Sequence, residues 1–154
     1  MPAWLTRCLA TGLYTGYSPT VPGTVGTLPA LILVWFCFGC GVVWPIAITI
    51  VMTLASIWLA GEAELLLGHD SKKIVIDEWA GMCVSVLFIP HTIGAYLVAF
   101  AAFRLFDVIK LPPAAQFEKL PRGWGVTMDD VAAGVQANIA TWIIVLLVGT
   151  PLAM

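Results

Sequence analysis

The placement of charge along this 154-residue chain constrains its fold more than any other feature. Three long stretches, residues 8–61, 79–103 and 131–154, contain no Asp, Glu, Lys or Arg. Each stretch is long enough for at least one transmembrane helix, which needs about 20 consecutive apolar residues. The sequence therefore predicts an integral membrane protein, because a bilayer accepts long uncharged helices that water does not.

Composition supports lipid as the solvent of this chain. Hydrophobic residues make up 60% of it and charged residues 10%, with a mean hydropathy of +0.98. An ordinary soluble domain is about 25% charged, so this chain lacks the residues for a polar surface. A disordered chain would be rich in charge, and a nucleic-acid-binding protein would be basic rather than −2. We expect one domain, residues 1–154.

Hydrophobic runs separated by turn residues predict an all-α membrane bundle of about five helices. The segment 11–27 is rich in Gly, Pro, Ser and Thr and is expected to be non-helical, folded back into the cytoplasmic face. The predicted helices cover residues 28–39, 46–67, 74–89, 93–110 and 128–148.

If these five helices cross the bilayer in alternation, every formal charge falls at or near one membrane face. Lys and Arg in short loops mark the cytoplasmic side, so the charged face is predicted to be cytoplasmic. The opposite face contains His91 and no charged residue. Cys37 and Cys40 form a C-x-x-C pair in an apolar run, which we interpret as packing residues rather than a redox or metal site.

Several charged residues lie inside the ends of the predicted helices, where an unpaired charge is costly unless it faces a wet pocket. One interpretation is structural, since such residues also extend to the membrane surface, form ion pairs and interact favourably with helix dipoles. The other is a binding site in which carboxylates hold Mg²⁺ and the bases bind a phosphate group. The residues concerned are the acids Asp77, Glu78, Asp107, Asp129 and Asp130 and the bases Arg104 and Lys110.

The segment 18–27, S-P-T-V-P-G-T-V-G-T, combines hydroxyl and small residues directly before a predicted helix. Backbone N–H groups at a helix start bind anions, which predicts a phosphate-binding segment, although no G-K-[ST] motif is present. The alternative is an ordinary turn in which Thr24 or Thr27 caps the helix. The predicted phosphate-binding residues are Ser18, Gly23, Thr24, Gly26, Thr27, Arg104 and Lys110.

The sequence lacks the patterns of cysteine-nucleophile and aspartyl-phosphate phosphatases, and its two histidines fall on opposite predicted faces. The remaining chemistry is metal-assisted attack by water with a carboxylate as base. We predict Asp129, Asp130, Arg104 and Lys110 as catalytic residues, with Asp130 as the base. One or two metals are compatible with the pattern, and Asp77, Glu78, Asp107, Asp129 and Asp130 are the candidate ligands.

Three ordered blocks carry a resemblance to a known family. They are residues 12–27 with S-P-x-x-P-G-T-x-G-T, residues 70–82 with I-V-I-D-E-W-A-G-M, and residues 103–134 with F-R-L-F-D-V-I-K and G-W-G-V-T-M-D-D-V-A-A-G. Together they resemble the phosphatidylglycerophosphatase A family. Two positions depart from its pattern: Lys110-Leu111-Pro112-Pro113 stands for K-P-x-P, and Arg122-Gly123 stands for Gly-Gly.

The resemblance implies a Mg²⁺-dependent enzyme of phospholipid metabolism in the bacterial inner membrane. Its substrate would be the lipid phosphatidylglycerophosphate, whose terminal phosphomonoester is hydrolysed to give phosphatidylglycerol. The site chemistry alone does not separate this lipid from phosphatidic acid. Two other classes stay open: a divalent-cation or proton-coupled carrier that uses the intramembrane acids, and a non-catalytic scaffold. The sequence gives no oligomeric state.

Overall fold

The computed structural model describes residues 1–39, 41–68 and 71–148, so Cys40, His69 and Asp70 lie outside the described residues. Within these ranges all regular secondary structure is helical, as predicted. A 3₁₀ turn at Thr15–Tyr17 joins the first two helices. The seven α-helices are α1 (Ala3–Ala10), α2 (Pro22–Cys37), α3 (Val43–Leu67), α4 (Ile76–Ser85), α5 (Ile93–Ile109), α6 (Ala114–Phe117) and α7 (Gly123–Val148).

Two helices are long and apolar enough to cross a bilayer. These are α3, with 25 residues, and α7, with 26 residues. Among the described residues, α2 is apolar but has 16 residues, and α4 has ten. Large apolar side chains such as Phe36, Trp44 and Leu147 are exposed on the outer surface. Helix lengths thus agree with an apolar environment, and the count of about five crossing helices stays a prediction.

Several helix boundaries differ from those predicted. The expectation that residues 11–27 are non-helical is wrong for residues 22–27, which form the first turns of α2. The reason is Pro22, which occupies the first position of the helix, where its fixed φ and missing N–H are tolerated. Helix α4 is shorter than the predicted 74–89, and α7 begins five residues before the predicted residue 128.

Helix α7 is the centre of the fold and packs against α3, α4, α5 and α6. Small residues allow its close approach to α4. A Cβ atom on Gly134 would lie 2.5 Å from the carbonyl oxygen of Gly81, so neither helix has room for a side chain here. Gly123 makes a similar approach to the backbone of Ile57 and Gly61 in α3. This contact places the first turn of α7 beside α3.

Polar side chains also form hydrogen bonds between the packed helices. The Ser56 and Thr127 hydroxyl groups are 2.8 Å apart and join α3 to α7 in the buried interior. The Asn138 side chain of α7 donates to the carbonyl groups of Val84, Ser85 and Leu87 at 2.8–3.3 Å. The last carbonyl groups of a helix have no hydrogen-bond donor within that helix, and Asn138 supplies a donor to those at the end of the short helix α4.

Candidate active site

One cavity of about 360 Å³ lies where the first turns of α2, α4 and α7 meet the last turn of α5. All five predicted acids and both predicted bases line it, although they are up to 53 positions apart in the chain. Among the other residues that line it are four from the segment 18–27 and three from the loop before α4. The cavity is lined by Gly23, Thr24, Ser71, Lys72, Asp77, Glu78, Arg104, Asp107, Lys110, Asp129 and Asp130, among others.

Arg104 joins two of the carboxylates. Its Nη1 atom lies 3.2 Å from Oε1 of Glu78 and 2.9 Å from Oδ2 of Asp107. These are close ion pairs by distance, but Nη1 makes no aligned hydrogen bond with any described residue, and neither does Nε. The single positive charge of Arg104 therefore offsets part of the negative charge of Glu78 and Asp107.

Glu78 is held from its other side by α2. The Thr27 hydroxyl lies 2.7 Å from Oε2 of Glu78 and 2.8 Å from the carbonyl oxygen of Gly23 in its own helix. Thr27 is fully buried. A Cβ atom on Gly23 would overlap the ends of the Arg104 and Glu78 side chains, so a larger residue here would displace both of them. The first turn of α2 thus fixes the Glu78–Arg104 pair.

Lys110 makes a second bridge. Its Nζ atom lies 3.0 Å from Oδ2 of Asp129 and 2.8 Å from Oε1 of Glu118. Partial burial lowers the pKa of Lys110, but hydrogen bonds to Glu118 and Asp129 oppose that effect and raise the pKa above its ordinary value. Lys110 therefore remains a cation throughout the neutral pH range.

Asp77 and Asp130 differ from the other three acids because neither forms an ion pair with Lys or Arg in the described part of the chain. Both are buried, and Oδ2 of Asp130 has no hydrogen-bond partner among the described residues. Asp77 accepts a hydrogen bond from the backbone N–H of Glu78 at 3.1 Å. A buried carboxylate without a partner is costly, so this side of the cavity favours a cation.

The donor set fits Mg²⁺, with a restriction. In the three described ranges, no group of three or more His, Cys, Asp or Glu side chains is arranged to hold a metal ion. Mg²⁺ usually binds through one or two carboxylates and completes its octahedral shell with water and phosphate oxygen atoms. Asp77 and Asp130 match that requirement in type and charge, whereas a site built wholly from side chains does not fit.

The predicted phosphate-binding segment divides in two. Gly23 and Thr24 line the cavity, whereas Ser18, Gly26 and Thr27 are not among its lining residues. The Ser18 hydroxyl donates to the carbonyl of Thr20, and the Gly26 carbonyl accepts from the indole of Trp79. The alternative, a Thr24 or Thr27 cap, is wrong, because α2 begins at Pro22 with no side-chain capping bond.

Three residues were missed at the sequence level. Ser71 and Lys72 line the cavity and add a third basic group to it. Their nearness to Asp77 in the chain was an available signal, because a short loop before a helix stays near its first turn. Glu118, the partner of Lys110, had no such signal, since eight residues and the short helix α6 separate the two.

Fold and site together define a class: an apolar, all-helical protein whose buried acids and bases share a cavity suited to a phosphate group and a cation. The family model of phosphatidylglycerophosphatase A matches residues 8–145. That range covers most of the chain, and the chain belongs to the phosphatidylglycerophosphatase A family. The predicted family and the predicted enzyme class, phosphoric monoester hydrolase, are thereby confirmed.

Three relatives support the family. The chain is 36% identical to Phosphatidylglycerophosphatase A of Haemophilus influenzae over 88% of this chain and 86% of the relative. It is 33% identical to Phosphatidylglycerophosphatase A of Escherichia coli over 82% of this chain and 76% of the relative. It is 36% identical to a Bacteroides thetaiotaomicron protein provisionally named a phosphatidylinositol-3-phosphatase, over 93% of this chain and 98% of the relative. No solved structure gives a significant match.

Proposed function

We propose that this enzyme hydrolyses the terminal phosphomonoester of phosphatidylglycerophosphate, releasing phosphatidylglycerol and inorganic phosphate. The observation that carries the proposal is the single cavity shared by five carboxylates, Arg104 and Lys110. Family membership supports the choice of lipid. The Bacteroides relative is named for another lipid phosphate, yet that substrate also carries a phosphomonoester on a lipid headgroup.

The cavity supports a role for Mg²⁺. Asp77 is the first candidate to hold the ion because no basic residue pairs with it in the described ranges, whereas Asp130, the proposed base, is left free of the metal. Glu78, Asp107 and Asp129, which already pair with bases, are further candidates. When bound, Mg²⁺ would withdraw charge from a phosphoryl oxygen and lower the pKa of an attacking water.

The side chains of the protein supply the remaining functions. Arg104 and Lys110 line the cavity and carry positive charge, so both are suited to bind the phosphate group. Asp130 accepts the proton of the attacking water, a role supported by the oxygen atom that makes no hydrogen bond. Glu78 and Asp129 act as positioning residues through their ion pairs with Arg104 and Lys110.

The membrane arrangement is part of the proposal. Helices α3 and α7 cross the bacterial inner membrane, other apolar helices complete a bundle of about five, and the cavity opens on the cytoplasmic face. The position of Lys and Arg near the cavity supports this orientation. In a cysteine-free background, a cysteine at His91 should react with an impermeant thiol reagent added to intact cells, and one at Lys72 should not. The reverse labelling pattern would contradict the orientation.

The test of function is phosphate release by the purified, detergent-solubilised protein, with and without EDTA. We expect release from phosphatidylglycerophosphate, abolished by EDTA and restored by Mg²⁺. Phosphatidic acid and phosphatidylinositol 3-phosphate serve as competing substrates, since the cavity recognises a phosphomonoester whichever headgroup carries it. Release that persists without divalent metal would contradict the mechanism. Metal flux into proteoliposomes with no phosphate product would indicate the carrier instead.

A further inference from the structure

Lys72 differs from the other two bases of the active-site cavity in its pairing. Arg104 and Lys110 both form ion pairs with carboxylates. Lys72 also lines the cavity, but it pairs with no acid in the described part of the chain. A lysine ammonium group carries a full positive charge and three N–H donors. Lys72 therefore brings to the cavity a positive charge to which the proposed reaction assigns no role.

The loop that carries Lys72 is held against the N-terminal part of the chain. Gly16 lies so close to the carbonyl oxygen of Lys73 that a Cβ atom on Gly16 would overlap it. The Lys73 ammonium lies 5.0 Å from the centre of the Tyr17 ring, a distance typical of a cation–π contact. Two neighbouring lysines thus have different surroundings, because Lys73 lies over an aromatic ring and is not among the residues that line the cavity.

The three bases of the cavity also differ in depth. The side chain of Arg104 is 16% exposed and that of Lys110 is 32% exposed, whereas Lys72 is an exposed residue. Asp77 and Asp130, beside which the proposed reaction takes place, are both buried. Lys72 therefore lies at the opening of the cavity. The part of the lipid that does not react has to leave the cavity through this opening.

The proposed substrate carries two phosphate groups. Its terminal phosphomonoester is joined through one glycerol unit to a phosphodiester, which carries the diacylglycerol. When the monoester lies among the buried acids, the diester lies one glycerol unit nearer the opening. The cavity volume of about 360 Å³ is within the range of pockets that hold whole small ligands, so there is room for more than the reacting phosphate. Phosphatidic acid differs here, because its monoester is attached directly to diacylglycerol and it has no phosphodiester.

We propose that Lys72 binds the phosphodiester of the lipid headgroup and thereby favours phosphatidylglycerophosphate over phosphatidic acid. The inference rests on the proposed function and adds a specificity-determining residue to it. An ion pair near solvent is weak, so the preference is severalfold rather than a thousandfold. The phosphodiester is not broken in the reaction, so its contact is the same in the ground state and the transition state. Loss of that contact raises KM and leaves kcat unchanged.

The kinetic test compares the two lipids in variants of the neighbouring lysines. Lys72→Gln should raise KM for phosphatidylglycerophosphate about fivefold, the effect of losing one exposed ion pair. For phosphatidic acid, KM, or the inhibition constant if that lipid binds without turnover, should stay within about twofold. Lys73→Gln is the matched control, because it removes the same charge from an exposed neighbour outside the cavity lining and should change neither value.

Lys72→Arg keeps the positive charge and should keep the preference for phosphatidylglycerophosphate. An equal effect of Lys72→Gln on both lipids would mean that Lys72 does not read the phosphodiester. Equal effects of Lys72→Gln and Lys73→Gln would mean that only the general surface charge matters. Either result overturns the proposal.

A second measurement uses a probe that contains the phosphodiester and no phosphomonoester. Glycerophosphoglycerol, the deacylated form of the product, should inhibit phosphate release by the unmodified protein competitively, and about fivefold more weakly in Lys72→Gln. Glycerol at the same concentration should not inhibit. No inhibition of the unmodified protein, or equal inhibition of the two proteins, overturns the Lys72 contact. Absence of phosphate release from phosphatidylglycerophosphate contradicts the proposed function instead.

Discussion

The Thr27→Val substitution separates a positioning role from direct phosphate binding. Valine keeps the shape of threonine but removes the hydroxyl that lies 2.7 Å from Glu78. If Thr27 positions Glu78 and, through it, Arg104, turnover should fall because the cavity loses its preorganised geometry. KM should change little, since Thr27 is not among the residues that line the cavity. If Thr27 instead bound phosphate, KM would rise.

The size of the loss follows from the contact itself. A hydrogen bond to a charged group contributes about 1.5–3 kcal/mol, and its removal here leaves a buried carboxylate oxygen with one partner fewer. Each 1.36 kcal/mol corresponds to a tenfold change in rate, so kcat should fall about 10- to 100-fold if the whole effect reaches the transition state. The measurement is kcat and KM for phosphate release from phosphatidylglycerophosphate, together with the unfolding temperature in detergent.

Thr141→Val provides the matched control. Thr141 is also fully buried, and its hydroxyl donates to the backbone carbonyl of Ala137, four residues earlier, at 2.8 Å. The Thr27 hydroxyl lies at the same distance from the carbonyl oxygen of Gly23, four residues before it in α2. The control shares the burial and the backbone contact but has no carboxylate partner, so it should retain kcat. Thr27→Ser restores the hydroxyl and should recover turnover. Full kcat in Thr27→Val, or equal losses in Thr27→Ser and Thr27→Val, would refute the positioning role.

Asp129→Asn and Asp130→Asn should each lower turnover more than tenfold, as expected for loss of a metal ligand, an ion-pair partner or a base; near-normal rates in both would mean that the site lies elsewhere. Gly134→Ala should destabilise the fold by about 1–3 kcal/mol, since the added Cβ meets the α4 backbone. Gly61→Ala, with 3.6 Å of clearance, should not lower the unfolding temperature. Inorganic phosphate should raise the unfolding temperature only when Mg²⁺ is present.

The long-range features of the site were predictable from charge placement alone. Asp77, Arg104 and Asp129 each lie near the end of an apolar segment, and alternating helices carry those ends to the same side. Chemistry then suggested a shared site, because isolated charges at such positions are costly. The coordinates bring these residues around one cavity. Their roles as ligand, phosphate binder or base stay predictions, because a sequence contains no distances.

Local features were harder to predict, for identifiable reasons. The segment 18–27 has the composition of a turn, yet Pro22 occupies the first position of α2 and its second half is helical from there onward. Threonine at position 27 suggested an anion ligand, whereas its hydroxyl faces Glu78. The pairing of Lys110 with Glu118 depends on the path of the chain through α6. The spacing of hydrophobic residues does not predict the conformation of this short segment.

The charge balance of the cavity explains why a cation and a phosphate group would bind together. Five carboxylates and three basic groups line it, an excess of two negative charges when all are ionised. Arg104 and Lys110 pair with Glu78, Asp107 and Asp129, and Lys72 supplies the third positive charge, so the two acids without an ion pair among the described residues are Asp77 and Asp130. A phosphate dianion alone would meet net repulsion there. A divalent cation beside Asp77 and Asp130 removes that repulsion, while Arg104 and Lys110 supply positive charge for the anion. The unequal pairing of the five acids thus divides the cavity into a cation side and a phosphate side.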